Sequence, residues 1–252
     1  NTKAIIPVHL YGHSSELDKI VEIAVKHNLF IIEDCAESLG TSYLKGHVGT
    51  FGDASIFSFF GNKTITTGEG GMLVFKTEKY AEKAKVLRDH GMDKEKRYWH
   101  NELGFNYRLT NIQAAIGVAQ LEKIKFLINQ KRFIADQYNK NLNGYDRLLL
   151  PKESINTKHS YWLYTVLLNE DLIENRDGII SDLLSFGIET RPTFYAIDSM
   201  PYYKSLDIYP AKRPVSNYIA NSGISLPSYV GLDENRIKYI SKSLIQAIEN
   251  VV

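Results

Sequence analysis

An apolar run that ends in a glycine-rich turn is the sequence feature that most constrains the fold of this chain. Ala54 to Phe60 is apolar and aromatic, and Gly61-Asn62-Lys63 interrupts it. The length of the run and the turn residues around it predict a buried strand. Gly68, Gly70 and Gly71 follow closely, and they allow the backbone to turn tightly or to approach a ligand.

Lys63 lies just beyond the end of that predicted strand, in a loop with little side-chain bulk. An amine in such a confined place loses hydration, which lowers its pKa and makes it a nucleophile toward carbonyl groups. A surface lysine in a glycine turn is the alternative interpretation, and the pattern alone leaves both open.

A strand, a helix and a second strand are predicted at the start of the chain. Ala4 to Leu10 is an apolar strand pattern, a helical repeat of apolar residues ends at Asn28, and Leu29 to Ile32 is a second apolar run. This order predicts a right-handed parallel βαβ unit. Ligands gather at the carboxyl ends of such strands, where Asp34 lies, although a capping or loop aspartate is the alternative.

The segment around Lys63 also supports a resemblance to a known family. Ser58-Phe59-Phe60-Gly61-Asn62-Lys63, followed by Thr66-Thr67-Gly68-Glu69-Gly70-Gly71, resembles the cofactor-lysine segment of the DegT/DnrJ/EryC1/StrS sugar aminotransferases. The similarity extends over nearly the whole chain. It implies an α/β protein with the PLP-dependent aspartate aminotransferase fold (type I), which has a large domain with a mostly parallel sheet and a smaller α+β C-terminal domain.

The resemblance and a long helical pattern together suggest a domain organisation. The pattern from Ile112 to about Leu142 changes from apolar to mixed near residue 125, where we expect the boundary. Residues 1–125 would form the C-terminal part of the large cofactor-binding domain, and residues 126–252 the small domain. Compared with the family, we expect an amino-terminal segment of the large domain to be missing.

By the same resemblance, five residues are expected to bind pyridoxal 5'-phosphate, four of them in the same subunit as the cofactor. Lys63 would be the catalytic residue, which binds the cofactor through its amine and later moves a proton. Asp34 would keep the pyridine nitrogen protonated, so that the ring accepts electrons. Glu37 would lie near the cofactor ring, and the Ser58 hydroxyl would contact the phosphate.

The fifth cofactor-binding residue would come from the neighbouring subunit, and one further residue would bind the substrate. Asn106, in the family-like segment Gly104-Phe105-Asn106-Tyr107-Arg108, would reach the cofactor phosphate of a neighbouring subunit. This implies a homodimer with shared active sites. Arg191 would bind an anionic group of the substrate, because arginine suits bidentate contact with carboxylate or phosphate. A salt bridge is the alternative interpretation of Arg191.

The reaction implied by the resemblance is transamination. The expected donor is L-glutamate, the expected acceptor is GDP-4-keto-6-deoxy-mannose, and the product would be GDP-perosamine for O-antigen synthesis. Another nucleotide-linked keto-sugar, or a non-catalytic regulator with the same fold, is the alternative. A Rossmann-type oxidoreductase is disfavoured, because Gly68-Glu69-Gly70-Gly71 precedes a predicted strand and does not open a helix.

Composition narrows the remaining classes of function. The chain has 252 residues, a formal net charge of +1 and 44% hydrophobic residues, which suits a globular protein of two domains. The charge gives no support for nucleic-acid or membrane binding, and no apolar run approaches the roughly 20 residues of a membrane span. Cys35 is the single cysteine, so no internal disulfide forms. We expect a cytoplasmic protein without a metal site.

Overall fold

The computed structural model describes residues 1–205 and 213–251. The chain groups into two compact units, the first made of Asn1–Asn129 and Glu153–Trp162, the second of Gln130–Lys152 and Leu163–Val252. The domain boundary near residue 125 stays a prediction. The α/β fold class is confirmed.

Strands and helices alternate through most of the described chain. The strands are β1 (Ala4–Ile5), β2 (Phe30–Asp34), β3 (Ser42–Tyr43), β4 (Gly46–His47), β5 (Ala54–Ser58), β6 (Gly71–Phe75), β7 (Leu148–Leu149), β8 (Thr157–Lys158), β9 (Tyr164–Leu168), β10 (Arg191–Pro192) and β11 (Gly223–Leu226). The α-helices are α1 (Leu17–His27), α2 (Glu78–Arg88), α3 (Asn111–Glu122), α4 (Ile124–Leu142), α5 (Arg176–Ser185), α6 (Pro201–Lys204), α7 (Pro214–Ser222) and α8 (Glu234–Glu249). Short 3-10 helices cover Leu10–Gly12, Glu170–Asn175 and Ile197–Ser199.

The first unit is built on a four-stranded sheet with the order β1-β2-β5-β6. The first two pairs are parallel, and β6 is antiparallel to β5. The predicted βαβ unit is therefore present. Asn28 ends α1 in the left-handed conformation, with φ of 51°, a usual way for a helix to stop. A smaller sheet with the order β4-β3-β8 belongs to the same unit.

Two sequence predictions of local structure were too long. The strand predicted from Ala4 to Leu10 is regular only over β1, because Pro7 has no N–H to donate and the chain then enters a 3-10 turn. Val8 keeps only an isolated bridge to Asp34. The single helix predicted from Ile112 to Leu142 is broken at Lys123, where φ is -98° and ψ is 3°.

The second unit packs helices on an antiparallel sheet with the order β10-β11-β9-β7. Side chains of β9, β11, α5 and α8 are fully buried in its core, including Tyr164, Leu168, Ile179, Ile224, Ile237 and Leu244. The aromatic ring of Tyr164 stacks on Tyr138 of α4 at 4.7 Å between centroids. This arrangement is the α+β unit that the sequence predicted.

Within residues 1–205 and 213–251, none of the helices combines the length and the apolar character that crossing a membrane requires.

A buried carboxylate joins the turn before β5 to the end of β2. Glu33 is fully buried, and its two oxygens accept N–H groups of Gly49, Phe51 and Gly52, each at 2.7 Å. Nε2 of His9 lies 3.1 Å from the same carboxylate. Burial opposes ionisation of Glu33, but His9 and the three N–H groups outweigh it, so the pKa of Glu33 is below its ordinary value.

His9, Glu33 and Cys35 form a buried trio whose ligand atoms lie within 4.8 Å of one another. Nδ1 of His9 accepts the N–H of Ser15 at 3.1 Å, which leaves Nε2 to donate to Glu33. Burial raises the pKa of the Cys35 thiol to about 12, so the thiolate that metals prefer is disfavoured. His9 and Glu33 therefore form a buried hydrogen-bonded pair, with the neutral Cys35 thiol beside them.

Replacing Glu33 should strongly destabilise the first unit. Glu33→Gln presents an amide donor to N–H groups that need acceptors, so the free energy of unfolding should fall by about 3 kcal/mol or more. Because the folded-state pKa of Glu33 is lowered, its contribution is present above pH 4.5 and is lost as pH falls through the folded-state value.

Urea unfolding of Glu33→Gln between pH 3 and 8 checks this expectation. The matched control is Glu22→Gln, at an exposed position of α1. The control should stay within about 0.5 kcal/mol of the parent protein. A Glu33→Gln protein as stable as the control would contradict the structural role.

Candidate active site

Asp34 and Ser58 lie at the carboxyl ends of two neighbouring strands of the main sheet. Asp34 ends β2 and Ser58 ends β5, and these two strands are parallel neighbours with Asp34 opposite Ile56. The Asp34 carboxylate accepts the N–H of Ala36 at 3.0 Å. The carboxyl edge of parallel strands is the usual place for a ligand site in an open α/β sheet.

The turn that carries Lys63 is closed by hydrogen bonds to Phe59. The carbonyl of Phe59 accepts the N–H of Thr67 at 2.9 Å and the hydroxyl of Thr66 at 3.0 Å, while the Phe59 N–H donates to Gly70 at 2.9 Å. These bonds draw both ends of the turn together just beyond β5. Lys63 is therefore held on a short, closed loop.

The Lys63 amine lies in a mostly buried position against a carboxylate and an aromatic ring. Only 14% of its side chain is exposed, Nζ is 3.7 Å from Oε1 of Glu37, and it lies 3.8 Å from the centroid of the Trp162 ring. Burial lowers the pKa of Lys63, and the negative charges of Glu37 and Asp34 partly offset that shift. The amine therefore loses its proton more readily than a surface lysine.

Glu37 is held by the backbone on its other side. Oε2 of Glu37 accepts the N–H of Tyr11 at 2.7 Å. Burial raises the pKa of Glu37, while Tyr11 and Lys63 lower it and the charge of Asp34 raises it further. The pKa values of Lys63 and Glu37 thus shift toward each other, which lowers the free-energy cost of moving a proton from the amine to the carboxylate.

An unusual backbone conformation makes the Tyr11 contact. Tyr11 has φ of 55° and ψ of 10°, and the next residue, Gly12, has φ of 102°. A β-carbon at Gly12 would come within 2.7 Å of the Ser160 hydroxyl and 2.9 Å of the backbone nitrogen of Trp162. Glycine at this position lets the segment that ends at Trp162 approach the Tyr11 turn.

Trp162 is a site residue that sequence analysis missed. Besides covering the Lys63 amine, its indole N–H donates to the carbonyl of Asn62 at 2.8 Å, and its ring stacks near Tyr11 with centroids 6.3 Å apart. No local pattern around Trp162 indicates this role, because Trp162 meets Lys63 only through the tertiary fold.

The structure brings some of the predicted residues together in the first unit. Lys63 and Glu37 are in contact, and the charge of Asp34 acts on both. Ser58 lies at the same sheet edge, where its hydroxyl accepts the N–H of Phe60 at 3.2 Å.

The other two predicted residues are exposed. Asn106 accepts a hydrogen bond from Arg108 at 3.2 Å and forms a bridge with Asp89 in the first unit. Arg191 begins β10 in the second unit and pairs there with Ser225.

Comparison with known proteins assigns the family. Residues 1–245 match the DegT/DnrJ/EryC1/StrS aminotransferase family. An α/β unit with parallel strands and a mostly buried lysine beside carboxylates agrees with that match. The chain belongs to this family.

Individual relatives cover nearly all of this chain. It is 45% identical over 243 residues to the GDP-perosamine synthase of Escherichia coli O157:H7, a match that covers 96% of this chain and 65% of the relative. It is 44% identical over 239 residues to the GDP-perosamine synthase of Vibrio cholerae, covering 95% of this chain and 65% of the relative. The chain thus spans about 65% of the length of these relatives.

A solved structure gives the same picture of the fold. The Helicobacter pylori aminotransferase PseC, which is involved in the biosynthesis of pseudoaminic acid, superposes with a TM-score of 0.94 at 30% identity. The superposition covers 99% of this chain and 67% of PseC. The aminotransferase fold expected from the sequence is therefore confirmed.

Removing the Glu37 charge should change the titration of Lys63. Glu37→Gln keeps the shape of the side chain but loses the anion 3.7 Å from the amine, so the pKa of Lys63 should fall further. At a pH below that pKa, the unprotonated fraction of Lys63 should rise on the order of tenfold. Competitive acetylation read by mass spectrometry measures this fraction, with the exposed Lys19 as internal reference. An acetylation rate of Lys63 that is the same in Glu37→Gln and in the parent protein would refute the contact.

A side chain at Gly12 should destabilise the first unit more than one at another left-handed glycine. Gly12→Ala combines backbone strain with a clash against Ser160 and Trp162, and should cost roughly 2–4 kcal/mol of unfolding free energy. Gly68 has φ of 80° with nothing within 4 Å of the added carbon, so Gly68→Ala should cost only about 1–2 kcal/mol. Chemical denaturation of both variants compares them, and equal losses would argue against the close approach.

Proposed function

We propose that the complete protein is a pyridoxal-phosphate-dependent sugar aminotransferase that uses L-glutamate as amino donor. The observation that carries this proposal is the position of the Lys63 amine. It is mostly buried, its pKa is lowered, and it lies against Glu37 at the carboxyl edge of a parallel sheet. A lysine in that state is suited to bind a carbonyl carbon covalently and then to move a proton.

The residues present fit the cofactor by their chemistry. Pyridoxal phosphate would supply an electron sink for the reaction. Lys63 would hold it covalently, and Asp34 would keep its ring nitrogen protonated. The Ser58 hydroxyl would bind its phosphate from the end of the adjacent strand β5. Glu37, anchored by the Tyr11 N–H, would stand beside the ring and share a proton there.

The proposed acceptor is a nucleotide-linked 4-keto-6-deoxy sugar. Two relatives at 44% and 45% identity are GDP-perosamine synthases, which supports GDP-4-keto-6-deoxy-mannose as acceptor and GDP-perosamine, for O-antigen synthesis, as product. We assign Arg191, exposed at the start of β10, to an anionic group of the substrate, since its guanidinium matches both carboxylate and phosphate.

A homodimer with shared active sites is part of the proposal. Phe105 and Tyr107, on either side of Asn106, are 48% and 73% exposed and stack on each other at 5.0 Å between centroids. Exposed aromatic side chains of this kind are typical of subunit interfaces, so a second copy would bring Asn106 to the cofactor phosphate. We place the protein in the cytoplasm, since its only cysteine, Cys35, is buried and free.

Covalent trapping tests the proposal directly. Borohydride treatment of the full-length protein incubated with pyridoxal phosphate should fix the cofactor mass on the peptide that contains Lys63. Lys63→Ala should lose both the adduct and the visible absorbance of the bound cofactor, because no amine remains at that position. Turnover with L-glutamate and a panel of nucleotide keto-sugars then identifies the acceptor.

The exposed Lys19, in a surface pair with Glu16, gives the matched control. Lys19→Ala should keep the adduct, the absorbance and the turnover. An adduct on any lysine other than Lys63 would overturn the assignment of the catalytic residue. A folded dimer that binds no cofactor would instead favour a non-catalytic regulator with this fold.

A further inference from the structure

We propose that Trp162 is a positioning residue for Lys63, which holds the amine under its indole ring and fixes the turn below it through its indole N–H. The proposal rests on the proposed function, because it concerns the residue that would bind the cofactor. Both contacts belong to the first unit, and both are made by one side chain that is 3% exposed.

The geometry of the two contacts is complementary. The Lys63 nitrogen lies 3.8 Å from the ring centroid, well within the roughly 6 Å range of a cation–π contact, for which tryptophan is the best partner. The indole N–H donates at 2.8 Å to the carbonyl of Asn62, the residue directly before Lys63. One contact thus fixes the end of the lysine side chain, and the other fixes the peptide from which it starts.

Trp162 is itself held independently of Lys63. Its backbone lies against Gly12, and its ring stacks near Tyr11 with an angle of 23° between the planes. The N–H of Tyr11 in turn holds Glu37. The contacts therefore form a ring of four residues, Tyr11, Trp162, Lys63 and Glu37. In it, the indole ring is held by contacts that do not involve Lys63. Such prior placement is what a positioning residue requires.

The ring also acts on the protonation of the amine. Its negative face favours the ammonium form, as do the carboxylates of Glu37 and Asp34, while burial favours the neutral amine. Unlike a carboxylate, the ring stabilises the cation without adding a charge to the site. A tryptophan that merely filled space in the core would support stability but would leave the titration of Lys63 unchanged.

Fluorinated tryptophan separates these two roles without changing the size of the core. The chain has two tryptophans, so Trp99→Phe leaves Trp162 as its single site for incorporation, and any tryptophan in the rest of the full-length protein is replaced by phenylalanine as well. In the full-length protein without cofactor, the Lys63 pKa would be measured by competitive acetylation with tryptophan, monofluorotryptophan and trifluorotryptophan at position 162. Each step withdraws charge from the ring face, so the unprotonated fraction of Lys63 below its pKa should rise by about two- to five-fold per step.

A second variant tests the hydrogen bond. Trp162→Phe keeps an aromatic face but loses the donor to Asn62, so kcat should fall at least about five-fold while KM for L-glutamate stays within about two-fold. Trp99→Phe is the matched control, because the Trp99 ring also lies under a lysine, Lys96, at 3.7 Å, but is 53% exposed. The control should leave kcat, KM and the titration of Lys63 unchanged.

The outcomes separate this inference from the proposed function. A Lys63 pKa that is the same in all three folded proteins overturns the positioning role of the ring, whatever Trp162→Phe does. A pKa that falls stepwise supports it. If the pKa falls but borohydride traps no cofactor on Lys63, the contact stands and the proposed function fails. If the cofactor is trapped on Lys63 but the pKa of Lys63 does not change, the proposed function stands and the positioning role of Trp162 fails.

Discussion

The contact between the Lys63 amine and the Glu37 carboxylate is the interaction on which the rest of the site depends. Burial lowers the pKa of the lysine and raises that of the glutamate, and each charge partly offsets the shift of the other. A buried pair of this kind contributes little to stability, since desolvation opposes the Coulomb attraction. Its value lies in reactivity, because the two shifts bring the pKa values of the amine and the carboxylate closer together.

Two neighbouring carboxylates of strand β2 have different roles, one structural and one in the candidate active site. Successive side chains of a strand point to opposite faces, so Glu33 and Asp34 at the end of β2 serve different surroundings. Glu33 is buried and binds the turn that leads into β5, while the charge of Asp34 acts on Lys63 and Glu37. Since β5 ends at Ser58 and continues into the lysine turn, Glu33 helps to set where Lys63 lies.

Local sequence patterns predicted the parts of the site that are local in the chain. The strand before Gly61, the turn with Lys63 and the carboxylate at the end of β2 follow from residue periodicity and turn chemistry. Trp162 could not be found in this way, because it is far from Lys63 in sequence and its contact depends on the packing of Gly12 against the segment before it. The first strand was overpredicted for a local reason, because the apolar residues continue past Pro7, which has no N–H to donate, into the 3-10 turn at Leu10–Gly12.

Two residues with a strained backbone lie where these distant segments meet. Tyr11 and Tyr161 both have positive φ, 55° and 50°, which costs a non-glycine residue roughly 1–2 kcal/mol. Each is held by a specific partner, Tyr11 through its N–H to Glu37 and Tyr161 through its N–H to Nδ1 of His159 at 2.9 Å. Strained residues persist only when the surrounding structure over-determines them, and they cluster at functional sites. The strained backbone at Tyr11 presents an uncharged N–H donor to Glu37, which holds the carboxylate beside the Lys63 amine without adding a charge to the site.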